Sequence, residues 1–336
     1  MLERSLMTTT RTRSASTTGL LRPVALAAAA ALALAGCASD AAETTTDAAA
    51  TETDTDPAEV TVTHAQGETT VPVDPETVLV FDFATIDTLA AIGVEVDGLP
   101  KSTLPGDLAV YDTEDYLDIG TLFEPDYEAV NAAEPDLIIV AGRSAEALPE
   151  LAKIAPTIDL SNDWEDFRGS IEDNARTLGQ IFAAEEQIEE LITALDADIE
   201  ATREAAADAG EGLIVLTSGG EVTAYGPGSR FGFVHDELGV TPAVEDVEEA
   251  THGEAISFEF IAETDPDWLF VVDRDSATGE AGAAAAEVLD NELVAETTAW
   301  SEDNVLYVDS VDWYIVNGGL GTLQRITDEV ASALAG

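Results

Sequence analysis

The stretch Glu128–Arg143, EAVNAAEPDLIIVAGR, has a counterpart further along the chain in Glu259–Arg274, EFIAETDPDWLFVVDR. Both follow the pattern E-x6-P-D-x6-R, with Glu128, Pro135, Asp136 and Arg143 in the first and Glu259, Pro266, Asp267 and Arg274 in the second. Each copy reads as a helix, a Pro-Asp turn, and an apolar run too short for a helix and bounded by turn signals, the mark of a buried parallel strand. A matched order of four residue types in two places predicts two similar α/β lobes. Each arginine falls where its strand ends, and open α/β sheets bind ligands beyond the carboxyl ends of their strands. Arg143 and Arg274 are therefore expected to face one crevice and hold an anion there. The plainer alternative makes them surface residues of unrelated loops.

Residues 1–36 read as an export signal rather than part of the fold. Arg4, Arg11, Arg13 and Arg22 precede an apolar run from Val24 to Ala35 that is too short to span a bilayer. The run ends in Leu34-Ala35-Gly36-Cys37, which matches the bacterial lipobox. Cys37, the only cysteine, is expected to carry the lipid (palmitate) and to anchor the mature chain to the outer face of the cell membrane. A lone lipidated cysteine leaves no disulfide. Residues 37–57 are Ala, Thr, Asp, Glu and a few others without an aromatic, an acidic tether. The remainder divides into an N-terminal α/β lobe (58–166), linker helices (167–210) and a C-terminal α/β lobe (211–336).

Sixty-eight acidic residues face 13 lysines and arginines, a formal charge of −55. That balance excludes nucleic acid as a partner and is typical of proteins that stay soluble in concentrated salt. It also sharpens the anion argument. At ~0.15 M salt the Debye length is about 8 Å, so distant carboxylates are screened while arginines touching a ligand are not.

Along the chain, Glu59 to Val73 alternates around Ala65-Gln66-Gly67 as a β-hairpin, with His64 a solvated residue at its turn. Val78 to Phe83 reads as a buried strand and Ile86 to Ile92 as a helix stopped by Gly93. Ser170 to Phe182 and Ala184 to Asp208 have helical period, with Ile188, Leu191, Leu195 and Ile199 on one face of the second. The 25 residues of that second helix would span ~37 Å, long enough to run down the backs of both lobes as a stiff connector. The second lobe opens with the strand Leu213 to Leu216. In Tyr225–His235, glycines make a tight turn and Ser229 looks like the cap of a helix ending at Gly239, which puts Arg230 in a first helical turn with free amides. A helix is expected over Ala283 to Val294, a last strand at Val305 to Val308, Asp312-Trp313-Tyr314 on a loop, and a closing helix over Leu320 to Leu334.

These segments together resemble the class III periplasmic substrate-binding proteins of ABC importers, two α/β lobes with mainly parallel central sheets on a backbone helix, and the resemblance covers essentially everything from Ala58 onward. Within that class, Tyr225–Gly239, Thr251-His252-Gly253-Glu254, Val272-Asp273-Arg274 and Trp313-Tyr314 are similar to the catecholate siderophore receptors that include petrobactin-binding lipoproteins. The resemblance implies that Arg143, Arg230 and Arg274 face the ligand and that His252 and Tyr314 bind iron. It implies that Glu128 and Glu259 dock the two lobes onto arginines of a membrane permease. The acidity and the Asp312-flanked Trp-Tyr loop depart from the family pattern.

The residues fit that chemistry on their own terms. Catecholate oxygens around Fe(III) carry several negative charges, and guanidinium groups donate to adjacent oxygens as paired forks. Where a chelate fills only four of six iron positions, an imidazole and a phenolate can fill the rest, the metal lowering the phenol pKa from about 10. The expected function is thus capture of an anionic ferric-catecholate siderophore by a lipid-anchored monomer and its delivery to an ABC permease. No permanent cofactor is expected, since iron arrives with the cargo. A haem or cobalamin receptor of the same fold is the alternative. No G-x-S-x-G, H-E-x-x-H or C-x-x-C motif occurs, and three dispersed histidines offer little general-base machinery, so an enzyme is not expected.

Overall fold

A computed structural model describes residues 58–244, 247 and 253–336. The chain enters as an antiparallel hairpin, β1 (Glu59–His64) and β2 (Gly67–Pro72), turning at Ala65-Gln66 as its alternation predicts.

A five-stranded sheet follows, built from β3 (Val78–Val80), β4 (Gly98–Leu99), β5 (Leu117–Asp118), β6 (Leu137–Val140) and β7 (Thr157–Asp159). Its order is β5-β4-β3-β6-β7 and every pairing is parallel. The apolar run of the first repeat is its centre: Leu137, Ile138, Ile139 and Val140 are all fully buried, each side chain stabilising the lobe by about 1.5–3 kcal/mol. The chain moves outward from β3 in one direction and returns at β6 to move in the other. Loops leaving β3 and β6 therefore diverge, and the gap at their carboxyl ends is the crevice that such a reversal creates.

β3 is shorter than the expected strand, because Asp82 already caps the next helix. Its Oδ2 accepts from the Thr85 amide at 2.8 Å, and α1 runs Phe83–Ala91. The other first-lobe helices are α2 (Tyr127–Ala132), which carries Glu128, and the single turn α3 (Leu148–Leu151).

Two longer helices come next, α4 (Phe167–Ile181) and α5 (Glu185–Ala206). The 22 residues of α5 rise ~33 Å. It buries Ile188, Ile192, Leu195 and Ile199 in one stripe, while Leu191, expected there, is only partly buried. Ile188 packs against α4, and Arg203 near the other end donates to the Glu237 carbonyl at 2.7 Å. The helix thus touches material flanking both sheets.

The second sheet has six strands: β8 (Glu211–Ser218), β9 (Glu221–Tyr225), β10 (Thr241–Pro242), β11 (Glu254–Ile256), β12 (Trp268–Asp273) and β13 (Val305–Tyr307). Its order is β11-β9-β8-β12-β13, with β10 also against β8. β8, β10, β12 and β13 pair in parallel, whereas β9 is antiparallel to both its neighbours, β8 and β11. The mixed character comes from Gly219-Gly220, both at positive φ, which fold β9 straight back onto β8 as a two-residue hairpin.

Three expectations in this half are corrected. The helix after the glycine turn is only α6 (Phe233–Asp236), so Ser229 and Arg230 lie in the turn before it. Gly226, Gly228 and Gly232 make that stretch a poor helix, and the Asp236 carboxylate accepts from the Gly228 amide at 2.8 Å to hold the turn instead. The helix expected over Ala283–Val294 is a short one at Ala285–Leu289. It breaks where the Asn291 side chain accepts the Leu293 amide at 2.8 Å, a local bond that competes with helix. Asp312-Trp313-Tyr314 lies not on an open loop but in a π-helical turn, Val311–Val316, a form common at functional sites. The second repeat is as read, with α7 (Phe258–Thr264) carrying Glu259 and α8 (Arg274–Thr278) beginning at its arginine.

The closing helix, Leu320–Leu334, packs on α5 and also returns to α1. Leu320 and Thr322 amides donate to Thr88 Oγ1 (3.1 Å) and Asp87 Oδ2 (2.7 Å). Gly319 allows that approach, since a Cβ there would lie 2.5 Å from the Ala84 carbonyl oxygen.

Candidate functional site

Tyr314 is the meeting point of the three predicted arginines. Arg143, just past β6, donates through Nη1 to the Ile315 carbonyl and through Nη2 to the Tyr314 carbonyl, both at 3.0 Å. Arg230 donates through Nη2 to the same Tyr314 carbonyl at 3.1 Å, and its guanidinium lies 4.6 Å from the Tyr314 ring centroid and 5.0 Å from that of Phe231. Arg274 donates from Nε to the Tyr314 hydroxyl at 3.0 Å. The π-helical turn presents carbonyls on one side and the phenol on the other, which is how one residue engages arginines from both lobes.

The three are not equivalent. Arg274 also contacts Ser218 Oγ (3.2 Å) and Glu280 (3.3 Å), with Asp275 at 3.9 Å. Its bond to Tyr314, more than the charge of Glu280, raises its pKa above the ordinary range. Arg143 and Arg230 have no carboxylate partner among the described residues, while Arg168, Arg176, Arg203 and Arg325 are all ion-paired. Burial pulls the Arg230 guanidinium below its ordinary range, the Tyr314 phenol opposes this, and the charge of Arg143 adds to the lowering. The Arg230 Nε–H is buried without a hydrogen-bond acceptor among the described residues. A buried donor left unmade costs about 1–3 kcal/mol.

Arg143 and Arg230 line one cavity of about 400 Å³, together with Asp82, Asn162, Trp164 and Asn317. It lies at the carboxyl ends of β3 and β6, where the sheet topology leaves its crevice. Burial raises the pKa of Asp82, while its bonds from Thr85 and the charge of Arg143 oppose the rise. Arg274 is outside this lining, on the hydroxyl side of Tyr314.

Of the histidines, His64 bonds the Thr69 hydroxyl at 2.9 Å and is half-buried rather than solvated, and His235 bonds the Val240 carbonyl at 2.8 Å inside α6. Both are structural. His252 and Cys37 lie outside the described residues. No group of three or more metal-ligating side chains occurs among the described residues, and no described helix is long and apolar enough to cross a membrane. Glu128 and Glu259 are exposed, each in the first turn of its helix. Bonds from its own amide and from Ser257 hold the Glu259 carboxyl below its ordinary range.

Sequence reasoning missed the pocket residues Asp82, Asn162, Trp164 and Asn317. The first had a readable signal, an aspartate three residues before Thr85 at the end of an apolar run. The others come from loops whose placement depends on the tertiary fold.

A family model described as periplasmic binding protein matches residues 78–311. The petrobactin-binding protein YclQ of Bacillus subtilis (strain 168) is 38% identical over 281 residues, covering 82% of this chain and 88% of that protein. Its crystal structure superposes with a TM-score of 0.80 and covers 83% of this chain and 99% of that one. The ferric-anguibactin-binding protein FatB of Vibrio anguillarum is 31% identical over 277 residues, covering 81% of this chain and 86% of that protein. The periplasmic catecholate-siderophore binding protein VctP of Vibrio cholerae has a TM-score of 0.77 at 32% identity, covering 82% of this chain and 100% of that one. Members of this family bind and carry substrates rather than transform them, and the chain belongs to the periplasmic binding protein family.

Proposed function

We propose that this protein captures an anionic ferric siderophore of the catecholate type between its two lobes and delivers it to an ABC permease. One observation carries the reading. In a chain of net charge −55, two arginines with no carboxylate partner among the described residues converge on one cavity, and one of them holds a buried donor with no acceptor among those residues. Keeping two like charges together and partly desolvated is costly unless an anion completes them. A ferric catecholate brings several negative oxygens in the planar spacing that guanidinium forks match.

Arg143 and Arg230 form the anion cradle, and Arg274 reaches it through Tyr314. For a chelate that fills only four iron positions, the Tyr314 phenol and His252 complete the metal sphere. Glu128 and Glu259, one per lobe at matched positions, meet basic groups of the permease. Cys37 carries the lipid that holds the protein at the outer face of the cell membrane, a monomer on an acidic tether spanning residues 37–57. The N-terminal lobe, linker helices and C-terminal lobe divide at residues 58–166, 167–210 and 211–336, with the closing helix returning across that division.

The test is a titration of the full chain, following tryptophan fluorescence, with ferric tris-catecholate, bis-catecholate and hydroxamate complexes and with haem and cobalamin. Preference for a catecholate complex is expected. Preference for a neutral or cationic hydroxamate complex, or for haem or cobalamin, defeats the reading. Iron ligation stands separately: affinity for a bis-catecholate complex that is unchanged in both Tyr314→Phe and His252→Ala removes it and leaves the cradle in place.

A further inference from the structure

Trp164 is out of keeping with the other aromatic residues near the cleft. Trp313 is 2% exposed and Phe231 3%, whereas Trp164 is 43% exposed. It lies in a single 3-10 turn, Trp164–Asp166, on the connection from β7 to α4. One face is stacked on Phe167, with ring centroids 5.2 Å apart and planes within 10°. That contact fixes the ring's orientation without burying it. Its remaining surface lines the cavity of Arg143 and Arg230 and also a neighbouring one of about 530 Å³ that includes Phe233 from the second lobe. Packing alone accounts for the Phe167 face only. A large apolar ring stacked on one face, half-open and lining one cavity with two guanidinium groups that have no carboxylate partner among the described residues suits a guest that is anionic and aromatic at once.

We propose that Trp164, backed by Phe167, is an aryl-stacking subsite of the ligand cleft, taking the catecholate ring of the chelate while Arg143 and Arg230 take its oxygens. The assignment rests on the siderophore reading. It adds a source of specificity that charge does not supply, because arginines hold any anionic iron chelate whereas an indole face favours one with a ring to offer. Offset stacking of two aromatic rings adds affinity beyond the area buried.

The experiment measures binding of ferric bis-catecholate to the full chain by equilibrium dialysis, read from the iron–catecholate absorption so that loss of a tryptophan does not alter the signal. Trp164→Leu keeps apolar bulk and removes the ring, and should weaken binding about 2- to 12-fold. Trp164→Phe keeps a ring and should stay within about twofold of the unaltered protein. Phe167→Ala, which removes the backing ring, should give a smaller loss than Trp164→Leu. Melting midpoints of the two Trp164 variants should be unchanged, since the side chain is largely outside the core. Unaltered affinity in Trp164→Leu, or equal loss in the Leu and Phe variants, overturns the stacking role while the siderophore reading survives. Failure of the unaltered protein to take up the chelate overturns the siderophore reading and the subsite with it.

Discussion

The two lobes carry the same four-residue pattern and use it in the same way up to the last residue. Asp136 accepts the Glu76 and Thr77 amides at the entrance to β3, and Asp267 accepts the Glu211 amide at the entrance to β8. In each lobe the repeated aspartate ties its own strand to the central strand beside it. At the arginine the lobes part. Among the described residues Arg143 hydrogen-bonds backbone carbonyls, with Asp82 near enough to feel its charge, while Arg274 is held by Tyr314, Ser218 and Glu280. The first-lobe arginine therefore keeps its charge without an ion-pair partner among the described residues, and the second-lobe arginine has its charge already partly committed. A repeat in sequence thus fixes placement, and the neighbours of the repeated residue decide its electrostatic role.

The widest break with this asymmetry comes at the outer surface, where the lobes should act alike. Reversing both charges, Glu128→Lys with Glu259→Lys, is expected to abolish iron uptake by cells while leaving siderophore affinity of the purified protein unchanged. Lost affinity in that double variant rules out the docking role. Within the cleft, Arg143→Ala or Arg230→Ala should each weaken ferric-catecholate binding about 10- to 150-fold, the span expected for a hydrogen bond to a charged group. Arg274→Ala should cost less, about 3- to 10-fold, because Glu280 already takes part of its charge. Equal losses at Arg143 and Arg274 would erase the distinction. Glu280→Gln sharpens it, since freeing Arg274 should tighten binding by a few-fold rather than weaken it.

Much of the lobes' design was legible in the sequence because it rests on local patterns. Leu137–Val140 and Trp268–Asp273 are apolar runs between turn signals, and both are central parallel strands. The arginines that follow them could be placed because strand ends are visible in such a pattern. For Arg230 the resemblance points to the residue, whereas the helix start suggested by the glycines and Ser229 does not form: it lies in a turn with its guanidinium over the Tyr314 ring. The β9 hairpin has a local signal in Gly219-Gly220, both at positive φ. Trp164 and Asn317 have none, because their position in the cleft is fixed by contacts between segments far apart in the chain. The return of the closing helix to Asp87 and Thr88 is of the same kind.

The smallest expected effect tests whether the repeated aspartates share a role, apart from any ligand. Both side chains are half-buried, but Asp136 accepts two amides (3.1 and 2.9 Å) and Asp267 one (2.8 Å). A carboxylate accepting from backbone amides is a charge-assisted bond, and its removal leaves those amides without an acceptor. Asp136→Ala should therefore lower unfolding free energy by about 1–3 kcal/mol, with Asp267→Ala nearer 1 kcal/mol, measured by urea denaturation. Asp→Asn at either position should recover part of the loss, since the amide oxygen still accepts. If Asp267→Ala proved the more damaging, the bonds to the strand entrances would not be what the repeat preserves, and the likeness of the two lobes would have to rest on their apolar strands alone.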